Sequence, residues 1–166
     1  AATAAASVSP GTLSYTQTVG ATSTAQTVTV SNTGGAALTI NNVTLGGTNP
    51  AEYTVATGTT CTAGAVVNGG ASCVIRVTFT PTVTGARPAT LFIAHSASGT
   101  AATVALNGTG SATAVPSVSL SSAALTFASQ TVGTTSATQT VTLTNTGSAT
   151  LTLSTLTLSG VSSAEF

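Results

Sequence analysis

The chain has 166 residues, 42% of them hydrophobic and only 4% aromatic, and its net charge is zero. Charged residues make up 2% of it, namely Glu52, Arg76, Arg87 and Glu165, with no Lys and no Asp, where an average soluble protein has about 25%. So few cations cannot neutralise a nucleic-acid backbone or an anionic lipid surface, which argues against both partners.

Residues 1–6 are small and resemble the later stretch GSATAVP, so they are expected to be the tail of a linker from a preceding repeat. Leu13 and Tyr15 then supply an early edge strand. Next comes TVTVSN at 27–32, with Val28 and Val30 on one face. Asn32-Thr33-Gly34-Gly35 has turn chemistry, and ALTI at 37–40 puts Leu38 and Ile40 inward. Val43, Leu45 and Tyr53 are expected to continue the core. CVIRVTFT at 73–80 alternates Cys73, Ile75, Val77 and Phe79 inward against Val74, Arg76 and Thr78 outward. ATLFIAH at 89–95 puts Leu91 and Ile93 inward and Phe92 outward. Ser96-Ala97-Ser98-Gly99 reads as a hairpin into TVALNG, where Val104 and Leu106 face the core. No window has the helical period, and no apolar run is long enough to span a bilayer, so no direct membrane insertion is expected of this segment. About seven short strands in roughly 105 residues predict an all-β, immunoglobulin-like antiparallel sandwich.

The pattern recurs at a spacing of about 110 to 113 residues. Val8 aligns with Val118, Leu13 with Leu125, Tyr15 with Phe127, Asn32 with Asn145, and Glu52-Tyr53 with Glu165-Phe166. The expected organisation is therefore a tandem repeat. A complete sandwich occupies 7–110, a linker 111–116, and the first half of a second sandwich 117–166. Half a sandwich leaves its inner face uncovered, so either further sequence or another chain is expected to complete it.

Cys61 and Cys73 lie 12 positions apart. They are either two core thiols or a disulfide; an even count in a small β domain favours the disulfide and an oxidising, extracellular or cell-surface compartment. The run SNTGGAALTI, AEYTV, CTAGAVVNGGASCVIRVTFTPTVTGARPATLFI and VALNGTG resembles the bacterial abnormal-spindle/Hydin-type immunoglobulin repeats, also called choice-of-anchor D domains. These are similar in fold to major sperm protein. The resemblance covers 7–110 and recurs over 117–166; its most specific part is Cys61, Cys73, the run Val77–Pro81 and Gly85. It implies a disulfide between the two cysteines, a spacer or interaction role in large secreted proteins, and no catalytic residues.

The residues offer little chemistry of their own. His95 is the only histidine, and a catalytic triad needs an orienting carboxylate. Glu52 and Glu165 fall in equivalent places of different repeats, too far apart for paired-carboxylate hydrolysis. Calcium and zinc sites need ligand clusters that this inventory does not supply. Neither a catalytic, a cofactor nor a metal site is expected. Glu52 is read as an exposed partner of Arg76 or Arg87, contributing at most about 1 kcal/mol. Phe92 is the candidate surface-contact residue. Three roles follow: a non-enzymatic spacer or adhesive module contacting neighbouring repeats of its own chain; a subunit that self-associates into fibres through β edges lacking Lys; or an ancillary carbohydrate-binding module of a secreted enzyme.

Overall fold

The computed structural model describes residues 1–166, which divide into two compact units, Ala1–Thr113 and Ala114–Phe166. Unit one contains β1 (Ala6–Ser9), β2 (Thr12–Thr18), β3 (Gln26–Asn32), β4 (Leu38–Gly46), β5 (Tyr53–Val55), β6 (Val66–Val67), β7 (Ser72–Phe79), β8 (Gly85–His95) and β9 (Ala102–Ser111). A single helical turn, Pro50–Glu52, precedes β5. One sheet has the order β1-β3-β7-β5 and the other β2-β9-β8-β4-β6.

The two sheets share one core. Val28, Val30, Ile75, Val77 and Phe79 from the first meet Leu38, Ile40, Leu91, Ile93, Val104 and Leu106 from the second, all fully buried. Strict alternation along β7 produces this, because a period of two sends every second side chain to the same face. The result is an immunoglobulin-like β-sandwich.

Two details depart from the sequence reading. The expected sandwich is antiparallel throughout, yet β2 runs parallel to β9. The chain leaves β1 in the first sheet, turns at Pro10 and enters the second sheet at its edge, where no hairpin dictates an antiparallel partner. In β4, Ile40 and Val43 both point inward although they differ in parity. A bulge between Ile40 and Asn42 inserts the extra residue that reconciles them, and Val43 and Leu45 end half-buried at the core margin.

Asn32, read as a turn residue, is buried. Its Oδ1 accepts from the N–H groups of Ala5 (3.2 Å) and Gly34 (3.0 Å). Its Nδ2 donates to the carbonyls of Ala36 (2.7 Å) and Val67 (2.9 Å). One neutral amide thus ties the approach to β1, the β3–β4 turn and β6 together with all its hydrogen-bonding capacity satisfied.

Unit two contains β10 (Val118–Leu120) and β11 (Leu143–Asn145), paired antiparallel, and a helical turn at Ser163–Glu165. Leu120 faces Leu143, as Val8 faces Val30 in unit one. The positional counterpart of Val8 is therefore Leu120, two residues beyond the Val118 chosen by sequence alignment. Asn145 accepts from Ser117 N (3.3 Å) and Gly147 N (3.0 Å) and donates to Ala149 O (2.7 Å). Leu153, Leu156, Leu158 and Phe166 are exposed.

In β9, Gly108 and Gly110 take inward positions where a strand would ordinarily carry apolar side chains. A Cβ at Gly108 would collide with the Tyr53 hydroxyl and the Phe79 ring, whereas one at Gly11 would meet nothing within 4 Å. Gly108→Ala is expected to lower unfolding free energy by about 1–3 kcal/mol through overpacking. Gly11→Ala should be nearly neutral, and urea denaturation of the two variants checks the contrast.

Candidate functional site

Unit one concentrates its polar chemistry at the point where the helical turn Pro50–Glu52 delivers Glu52 and Tyr53 against the end of β7. Glu52 retains only 6% exposure. One carboxylate oxygen accepts from the Thr82 N–H (3.0 Å) and from the Thr82 hydroxyl. The other accepts from Arg87 Nε at 2.9 Å. The expected exposed pair thus has a buried carboxylate and a half-buried guanidinium. Sequence placed Glu52 beside a core aromatic but could not show that the loop after β7 folds back over it. Burial pushes the Glu52 carboxyl up, but Arg87 and the two Thr82 donors outweigh it, and the group titrates below the usual carboxylate range.

Beside it, three aromatic rings interlock. Tyr53 lies 4.8 Å from Phe79, Tyr15 lies 5.7 Å from Phe79, and Tyr15 meets Tyr53 edge-on at 5.9 Å. Both phenols are anchored: Tyr15 Oη donates to Val77 O (2.8 Å), and Tyr53 Oη donates to Arg87 O (2.6 Å). Burial pushes the Tyr53 hydroxyl up to about 12, and Tyr15 higher still. These groups hold the fold together and present no free nucleophile, acid or base.

Cys61 and Cys73 form a disulfide. It pins the segment after β5 along β7. Thr60 Oγ1 accepts from Val74 N (2.9 Å), and Thr59 Oγ1 accepts from Arg76 N (3.0 Å). The N–H groups of Thr60 and Cys61 donate to Val74 O, and that of Ala56 to Arg76 O. Short β5 covers only Val77–Phe79, so this segment closes the rest of the β7 edge. Arg76 faces out and packs its side chain on Gly58.

Phe92 points outward from β8 between Thr44 and Thr103, 39% exposed. Its ring lies against Gly46, where a Cβ would come within 2.8 Å of it. It is therefore part-covered by its own sheet. His95 ends β8, and its Nδ1 is buried with no hydrogen-bond partner. No three His, Cys, Asp or Glu side chains gather in one place, and no helix is long and apolar enough to cross a membrane.

Two packed sheets, a disulfide-pinned edge and an ion pair with a buried carboxylate define an immunoglobulin-like domain. Residues 11–109 match the HYDIN/CFA65/VesB-like, Ig-like domain, and the chain belongs to that family. Among solved structures it is similar to a protein of unknown function from Porphyromonas gingivalis W83, at 18% identity and a TM-score of 0.51 over 64% of this chain and 46% of that one. It is also similar to the VesB protease of Vibrio cholerae, at 18% identity and a TM-score of 0.50 over 64% of this chain and 32% of that one. At this identity the likeness is one of fold, and the chain spans less than half the length of either protein. No curated protein matches the chain.

Two outcomes follow from the buried groups. The depressed Glu52 value makes its contribution complete above the ordinary carboxylate value of 4.5, and lost as pH falls through the lower folded-state value. Glu52→Gln should cost about 1–3 kcal/mol at neutral pH, the lower part applying because Arg87 keeps 22% exposure. It should also flatten the acid limb of a stability–pH curve measured in urea. At the alkaline end the raised Tyr53 value makes stability intact below 10 and lost as pH rises toward 12. Separately, the disulfide closes a loop with a sequence separation of 12, so its reduction should cost about 3 kcal/mol by the chain-entropy model. Paired denaturation curves with and without dithiothreitol measure that loss.

Proposed function

We propose that the chain is a non-enzymatic structural module of a larger extracellular or cell-surface protein, with unit two as the first half of a second sandwich. The observation that carries the reading is where the reactive groups of unit one are used. Glu52 is held by Arg87 and Thr82, both tyrosine hydroxyls donate to backbone carbonyls, and both cysteines share a disulfide. Each is committed to holding the sandwich together. The disulfide is consistent with an oxidising extracellular compartment.

The tandem reading is supported by matching hydrogen bonds. Gln26 Nε2 donates to Ser14 O (2.6 Å) and Gln139 Nε2 to Thr126 O (2.7 Å). Asn32 and Asn145 each accept from the N–H two residues ahead and donate to the carbonyl four residues ahead. Tyr15 lies edge-on near Tyr53 at 5.9 Å, and Phe127 lies tilted near Phe166 at 5.7 Å.

Between a spacer and a fibre subunit, the edges of unit one favour the spacer. The β7 edge is closed by the disulfide-pinned segment, Gln26 engages the β2 backbone at Ser14, and β6 is only two residues long. These edges are in part covered even without Lys, while the outer side of β1 and β4 beyond Thr39 carry no strand partner. A carbohydrate-binding role has one observation behind it, the outward Phe92 amid Thr44 and Thr103. A second role beside a catalytic domain is compatible with the VesB likeness in fold.

Electron microscopy of the native protein tests the proposal. Separate thin rods or beads are expected; ordered filaments or sheets would replace the spacer with the assembly reading. A glycan array with unit one should show no binding that Phe92→Ala removes.

A further inference from the structure

On the outer side of β4, β6 pairs only with Leu38 and Thr39. Ile40 follows, its N–H donating to Ala65 O (2.9 Å) and its carbonyl accepting from Gly64 N (2.7 Å). After the bulge between Ile40 and Asn42, β4 continues to Gly46 along β8 with no strand on its other side. Backbone direction alternates with side-chain direction along a strand. Val43 and Leu45 turn their side chains toward the core as Ile40 does, so their N–H and C=O groups turn to the open side as well. Asn42 and Thr44 are exposed on the outer face. The Val43 N–H meets the Oδ1 of its neighbour Asn42 (2.9 Å). The open stretch is bounded by Gly64–Ala65 at one end and, at the other, by Gly47, whose φ of 92° turns the chain away. Neither β4 nor the residues Thr90–Ala94 opposite it carry a charged side chain.

We infer that the stretch Asn42–Gly46 is a docking edge for the same stretch of a second copy of this chain, the two strands running antiparallel about a two-fold axis at Thr44. The occupant follows from the pattern of the strand, which reads the same in polarity from either end: polar or small, apolar, Thr, apolar, polar or small. About that axis Val43 faces Leu45 of the second copy, and each such pair exchanges both backbone bonds from groups that already point outward. The half-buried Val43 and Leu45 side chains at the core margin gain each other as cover. Asn42 of one copy comes beside Gly46 of the other and the Phe92 ring that lies against it. Length fits too, because Gly47 ends the incoming strand where Gly64–Ala65 of the first copy begins to occupy the edge. An uncharged edge meets no like-charge repulsion from its own copy, where many proteins place Lys to prevent that approach. A two-fold contact closes on itself, so it joins copies two at a time and is distinct from growth into a fibre. It stands whether or not unit two is half a sandwich.

The test is a charge swap at the axis, read by sedimentation velocity of the full chain at low ionic strength. Thr44 is exposed and turns its own backbone groups to β8, so Thr44→Lys and Thr44→Glu leave the sandwich intact, which an unchanged urea midpoint checks. The parent chain is expected to dimerise with rising concentration. Each variant alone sets like charges directly opposite each other and should dissociate, the dimer weakening roughly tenfold or more. An equimolar mixture of the two variants should pair again, because the axis then joins opposite charges. A parent chain that stays monomeric at its highest soluble concentration overturns the inference and leaves the edge to another partner. Dimers that ignore both substitutions, as association through the exposed side chains of unit two would, overturn it as well. So does a mixture that pairs no better than either variant alone.

Discussion

The Phe79 ring packs between Tyr15 and Tyr53, and much of unit one is arranged around that contact. Tyr15 comes from the second sheet and Tyr53 from the edge of the first, while Phe79 ends the central strand β7. Gly108 is small because these rings need the space beneath them. Glu52 is buried because it immediately precedes Tyr53 and is carried in with it. Arg87 and Thr82 then make that burial tolerable, since an unpaired buried carboxylate would be strongly destabilising. The contact therefore joins the early part of the chain to the late part and fixes which strands face each other.

A chain with almost no charge has to close its sheet edges by other means. Many proteins place Lys at edges; this one uses neutral side chains. Thr59 and Thr60 cap the N–H groups along β7, Gln26 engages β2, and Asn32 links three segments. The disulfide matters less as a crosslink across the core than as the pin that keeps the Thr-bearing segment on the β7 edge. Hydroxyls and amides thus cover the exposed backbone beside β7 without any charged side chain. Family membership and the likeness to solved structures establish the immunoglobulin-like fold of this unit.

Most of the strand pattern was legible in the sequence because period-two alternation reports directly on which face is buried. Leu38, Ile40, Ile75, Val77, Leu91, Ile93, Val104 and Leu106 were all assigned inward, and all are fully buried. The bulge in β4 was also encoded, in the parity change between Ile40 and Val43, a signal that position alone does not interpret. Phe92 was placed outward by the same alternation, but its packing on Gly46 belongs to a neighbouring strand and could not be read.

The sequence by itself determined the all-β class, the inward faces and the turns, since these depend on local periodicity and backbone preference. Only the tertiary structure decided that Asn32 is a buried junction, that Glu52 is a buried ion-paired carboxylate, that β2 runs parallel to β9, and that the disulfide guards an edge. Each depends on groups tens of residues apart meeting in space. A polar residue's role is set by which donors and acceptors surround it, and no local pattern in a chain of Thr, Ser, Ala and Gly specifies those neighbours.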